Sequence, residues 1–181
     1  MRPRNASFVA AALLMAACST DDQLETYGGG DRPAATVTEL PGGGRIAVGT
    51  PDGYRLSVQV EDAEGEVGDA MTIYTSDTGR RDQGRYKIVR PQVYAAANTV
   101  VIQAQLVPDD LPEGEDFEDL HVGLLAATED VDDLDDWAVV DEAEPFAEVR
   151  LSRDGSEVVQ PIDNTRLQWV WRGGTFVREP R

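Results

Sequence analysis

A single histidine, His121, is the chain's one imidazole able to shuttle protons near neutral pH, so histidine-rich zinc or iron sites are excluded at the outset. A nucleophilic triad would combine His121 with a serine and an acid such as Asp119. No serine, however, sits in the G-x-S-x-G turn that exposes a nucleophile at a strand end. Carboxylates are abundant: Asp109 to Glu148 holds seventeen of the 34 acids, and no Lys or Arg occurs between Arg90 and Arg150. A pair of them at the right separation could hydrolyse a glycoside, but at this density some pair falls within reach in any fold. The run EDVDDLDDW, Glu129 to Trp137, offers hard oxygen ligands and hence a calcium reading through Asp130, Asp132, Asp133, Asp135 or Asp136. It does not follow the EF-hand loop. Counting from Asp130, the third ligand place is Leu134, and Asp135 stands where glycine is needed. The alternative is a solvated acidic loop that discourages edge pairing.

Aromatic chemistry is concentrated at the C-terminus. In RLQWVWRGGTFVRE, a Gly173-Gly174 turn places Trp171 across from Phe176, with Trp169 and Leu167 on the same face. Trp169, Trp171 and Phe176 are therefore a candidate ligand face for sugars or peptides. The same pattern suits an inward core face, with Arg166, Gln168 and Arg172 on the wet side.

The only cysteine, Cys18, follows Arg2, Arg4 and the apolar run Phe8 to Ala17, which has the length of a secretory signal rather than of a bilayer span of roughly 20 residues. Met15, Ala16, Ala17 and Cys18 resemble the lipobox of bacterial lipoproteins: an apolar residue, two small ones and the cysteine that accepts diacylglycerol. Met15 departs from the leucine usual at the first place. The resemblance covers only residues 1–19 and implies lipidation of Cys18 after removal of residues 1–17. Ser19 in the next position implies sorting to the periplasmic face of the outer membrane. With one cysteine there is no intrachain disulfide and no thiolate metal cluster, and lipidation disposes of a free thiol in an oxidising compartment.

Residues 18–35 combine polar residues, a glycine triplet and a proline, as a flexible tether does, and their mean reach is roughly 20–25 Å. Residues 36–181 then suffice for one domain without disulfides. The formal charge is −18 and becomes more negative once Arg2 and Arg4 leave with the signal, which disfavours nucleic acid and anionic headgroups as partners. Arg80, Arg81, Arg85, Lys87 and Arg90 form the one basic block, opposing the acidic one. Neither Gly28 to Gly30 nor Gly42 to Gly44 is followed by the Lys-Ser/Thr of a phosphate loop, and no cofactor is implied.

The elements that must carry these groups are strands. Tyr54, Leu56, Val58 and Val60 alternate with polar residues, and Thr50-Pro51-Asp52-Gly53 joins them to Arg45 to Val48 as a hairpin. Val100, Ile102, Ala104 and Leu106 form a second long strand, with Met71 to Thr75 and Tyr86 to Val89 as shorter ones. Ala147, Val149 and Leu151 predict a strand returning through a primed two-residue turn at Asp154-Gly155, with Val158 opposite Leu151. Glu113 to Asp136 fits either a helical stripe through Phe117, Leu120, Leu124 and Leu125 or a strand through Val122, Leu124 and Ala126; Gly123 and Val122 favour the strand. The expectation is an all-β, antiparallel, β-sandwich-like single domain of roughly eight to ten strands with at most one short helix. Its expected role is non-catalytic: a binding or structural module held to the membrane by lipid, with an envelope protein or glycan as partner. A carboxylate-dependent envelope hydrolase and a calcium-responsive module are the alternatives.

Overall fold

The computed structural model describes residues 35–76, 85–97, 99–110, 121–163 and 165–181. The signal, Cys18, nearly all of the tether, Arg80, Arg81, Phe117, Asp119 and Leu120 lie outside the described residues. The domain is all-β and antiparallel, as expected. Among the described residues twelve strands, more than the eight to ten expected, run β1 (Thr36–Glu39), β2 (Arg45–Gly49), β3 (Arg55–Glu61), β4 (Met71–Thr75), β5 (Tyr86–Ala96), β6 (Thr99–Pro108), β7 (Val122–Thr128), β8 (Ala138–Ala143), β9 (Arg150–Leu151), β10 (Val158–Pro161), β11 (Leu167–Arg172) and β12 (Thr175–Pro180). The one helical turn among the described residues is 3₁₀, Leu134–Asp136. The ambiguous stretch resolves as strand from Val122 onward.

The strands form three four-stranded meanders, β1-β2-β3-β4, β5-β6-β7-β8 and β9-β10-β11-β12, each made of consecutive hairpins. Side chains from facing sheets interdigitate as in a sandwich, with three layers instead of two. The middle sheet explains why. Val100, Ile102, Ala104 and Leu106 of β6, with Leu124 and Ala126 of β7, pack against Ile46, Val48, Leu56 and Val58 of the first sheet. Their neighbours Val101, Leu125 and Ala127 pack on the other side against Val158 and Trp171 of the third. Alternate residues of one strand thus feed two cores, the direct result of a period of two in a sheet covered on both faces. The sequence pattern gives β6 one wet face; in the structure Gln103 and Gln105 on that face are buried too. Gln103 keeps its polarity satisfied there, donating to the Ala147 carbonyl at 2.9 Å. Gln160 does the same from β10, exchanging bonds of 2.9 and 3.1 Å with the Glu144 backbone.

Local chemistry sets the turns. Gly173 and Gly174 both adopt positive φ, which a type I′ hairpin requires, and Trp171 pairs with Phe176 in the expected register. Val158 also faces Leu151 as expected. The turn between them is not the primed one, because only Gly155 has positive φ. Asp154 instead accepts hydrogen bonds at 2.8 Å from both Ser152 and Ser156 hydroxyls. In β5 a bulge at Arg90-Pro91, with Arg90 left-handed at φ 52°, interrupts the ladder where proline has no N–H to give. The Pro91 carbonyl accepts from the Thr36 hydroxyl of β1 at 3.2 Å, which ties the first sheet to the middle one.

Candidate functional site

At one end of the first two sheets, four connections converge: the β1–β2 turn, the β3–β4 loop, the β5–β6 turn and the β7–β8 loop. Between them lies a cleft of about 270 Å³ lined by residues including Leu40, Val60, Ala63, Ala97, Val100 and Val131, with Glu61, Asp62, Glu129 and Asp132 among its acids. A shallower groove of about 350 Å³ adjoins it, sharing Leu40, Gly43, Glu61, Asp62 and Ala63. The cleft floor is continuous with the first core, since Leu40, Val60, Val100 and Val131 belong to that cluster.

Backbone chemistry holds the rim. The Leu40 amide donates to the Gly44 carbonyl at 3.1 Å and the Gly43 amide donates to the Leu40 carbonyl at 3.0 Å, closing the β1–β2 turn. Gly44, at φ 79°, passes so close to β3 that a Cβ there would sit 2.2 Å from the Glu61 carbonyl oxygen. Asp62 accepts from the Glu64 and Glu66 amides at 3.0 and 2.8 Å and so folds its own loop. Arg45 and Glu61, both largely buried, form an ion pair at 2.6 Å across β2 and β3.

The acidic run resolves into a self-capped loop. Asp136 accepts from the Asp130 amide and the Thr128 hydroxyl, both at 3.1 Å. Asp130 caps the Asp132 amide at 3.1 Å, and Asp133 caps Asp135 at 2.9 Å at the start of the 3₁₀ turn. Three of the five aspartates named for calcium are therefore occupied with N–H donors. Among the described residues no group of three or more His, Cys, Asp or Glu converges as metal ligands would.

The aromatic face lies elsewhere, on the third sheet. Trp169, Trp171 and Phe176 do share a face, and that face turns toward the second core. Trp171 is 0% exposed; Trp169 and Phe176 are half-buried, and the Arg178 guanidinium lies 4.5 Å from the Trp169 ring. A fully buried indole cannot serve as a ligand platform, so the Trp171 part of that expectation is corrected: it is core, and only the edges of Trp169 and Phe176 reach solvent. His121 packs its ring 5.8 Å from Phe146 at the opposite end of the middle sheet from the cleft.

One cluster joins the basic block to the start of the acidic one. At the end away from the cleft, the Tyr54 hydroxyl donates to Asp109 at 2.6 Å, Lys87 pairs with Asp109 at 2.7 Å, and the Arg85 guanidinium stacks 3.7 Å from the Tyr54 ring centre. The hydrogen bond from Lys87, with that from Tyr54, lowers the Asp109 carboxyl below its ordinary range. The same carboxylate holds the Tyr54 phenol and the Lys87 ammonium protonated to higher pH than usual. Such a tyrosine is a poor general base. The cluster braces the ends of β3, β5 and β6: Arg85 and Lys87 of the basic block meet Asp109, the first of the acidic one, and Tyr54 joins them from a place in the chain that no spacing links to either.

No family model and no curated protein matches this chain. Among solved structures it resembles a mutant of the GH43 protein BlXynB from Bacillus licheniformis, with a TM-score of 0.42 and 11% identity, covering 83% of this chain and 31% of that one. The chain thus spans about a third of that structure's length, and a likeness this slight gives no guide to activity. Among the described residues no helix is long and apolar enough to cross a membrane.

Proposed function

We propose that this chain is an outer-membrane lipoprotein, held by a thioether lipid on Cys18, whose β domain works in the periplasm as a non-catalytic binding module. The anchor rests on the Met15-Ala16-Ala17-Cys18 pattern behind a basic, apolar leader. The observation that carries the binding role is the cleft, an apolar-floored opening where four hairpin connections meet, on a scaffold packed on both sides of its middle sheet. Rigid sheets presenting a site on converging loops are a common plan for recognition.

The chain enters β1 at Thr36 and reaches the cleft at Leu40, so the cleft lies at the end of β1 remote from the tether, about 13 Å further on. A tether reaching roughly 20–25 Å, longer than β1, would hold the domain near the bilayer while leaving the opening free to meet partners in the periplasm. Intact mass measurement of protein extracted from the membrane fraction tests the anchor: acyl chains on Cys18 are expected, and Cys18→Ser should release the domain. An unacylated mass would overturn the lipoprotein reading.

A further inference from the structure

We infer that the cleft takes an extended cationic segment of a partner polypeptide, with apolar side chains on the floor and Lys or Arg heads on the rim. This rests on the reading of the domain as a binding module and names the ligand class of that site. Buried Val60 and Val100 close the floor, and half-buried Leu40 and Val131 form the open edge of the first core above them, so side chains of modest size could extend that core outward.

The rim supplies the sign of the charge. Glu129 and Asp132 are exposed and have no cationic partner among the described residues. The facing loop adds Asp62, whose charge remains while its Oδ1 caps two amides. Among the described residues Arg45 is the only basic one along the cleft and the adjoining groove, and its guanidinium is already bound to Glu61. An anionic ligand would meet unfavourable potential there and a neutral one would gain nothing from it, whereas a basic one would be drawn in by a field that low-dielectric walls concentrate. An extended peptide suits the dimensions better than a compact cation. The cleft continues into the groove along Leu40, Gly43 and Ala63, and alternating side chains of an extended segment could address the floor and the rim in turn.

The test is fluorescence anisotropy on the full mature chain. Its probes are a short labelled peptide alternating Lys and Val, a matching peptide alternating Glu and Val, and calcium alone as competitor. The Lys peptide should bind and weaken with salt, the Glu peptide should not bind, and calcium should compete only by screening. Combining Glu129→Gln with Asp132→Asn should weaken binding by about tenfold. Ala63→Trp, at an exposed position outside the core, lets the indole fill the cleft over its floor and should abolish binding while the fold is kept, read as a melting temperature not lowered. Equal binding of both peptides, or full binding by Ala63→Trp, would overturn the proposal. Absence of peptide binding in a chain that carries acyl groups on Cys18 would remove the ligand class and leave the anchor; binding by a chain never acylated would do the reverse.

Discussion

The two ends of the first and middle sheets are built from the same kinds of side chain and put them to opposite uses. At the end holding Tyr54, Arg85, Lys87 and Asp109, the cations and the acid face one another, and the charge is spent within the molecule. At the cleft end, Asp62, Asp130, Asp133 and Asp136 fold their own loops through backbone N–H groups, and Glu129 and Asp132 are left facing water. One end uses charge to hold strands together; the other, apart from the Arg45–Glu61 pair across β2 and β3, displays it around an apolar opening. Excess acidity by itself therefore says little about function, and the partner of each carboxylate says a good deal.

The largest perturbation should leave this contrast intact. Trp171→Ala empties the second core, away from both ends, and should cost about 3–5 kcal/mol, measured by urea unfolding. If the sheets form one cooperative unit, probes at the brace and at the cleft will lose structure together. A separate, earlier transition at either end would break the comparison by making that end an independent unit.

Next in size is Gly44→Ala, which acts on the cleft end alone. The added Cβ meets the Glu61 carbonyl, and the residue must also hold φ 79°. A loss of about 2–4 kcal/mol is expected, with the brace still titrating as before. Ala97→Gly should act in the other direction at the same end. Ala97 is left-handed at φ 49°, and glycine relieves that strain, so a gain of about 0.5–1 kcal/mol is expected from the same unfolding curves.

Smaller effects separate the ends by pH. Asp154 lies in the third sheet's β9–β10 turn, whose neighbouring Gly155 meets the middle sheet's β5–β6 turn, the Thr99 hydroxyl donating to the Gly155 carbonyl at 2.5 Å. The Ser152 hydroxyl first, then Ser156, lowers the Asp154 carboxyl to about 2. A carboxyl depressed on folding adds stability above its unfolded value near 3.8 and loses it as pH falls toward 2. The stability gap between wild type and Asp154→Asn should thus be full at neutral pH and close between about pH 4 and pH 2. A gap independent of pH would show that Asp154 works through shape alone. At the brace, Asp109→Asn should let the Tyr54 phenol ionise at lower pH, read by ultraviolet titration, with no effect on the cleft. An unmoved phenol would mean that Asp109 does not hold it.

The sequence makes the hairpins legible because their signals are local. Gly173-Gly174 with Trp171 opposite Phe176, and Val158 opposite Leu151, follow from turn chemistry and a period of two. The third layer was not legible, since Gln103 and Gln105 look like a wet face until Ala147 arrives to accept from Gln103. The Asp154 turn was missed in type because its serines, rather than a primed backbone, satisfy it. The cleft has no motif at all: Leu40, Ala63, Ala97 and Val131 come from four separate connections, and only the stacking of two meanders brings them together.

The central claim is that the cleft, remote from the tether, is the binding face. Site-specific photocrosslinking in intact envelopes tests it most directly, with the reactive group at Gly42, exposed on the cleft rim with open space for a side chain, in one strain and at Val177, 42% exposed on the third sheet, in another. Capture at Gly42 of a segment rich in Lys or Arg, with none at Val177, is the predicted result. Capture at Val177 alone, or at Gly42 of an acidic segment, would contradict the account.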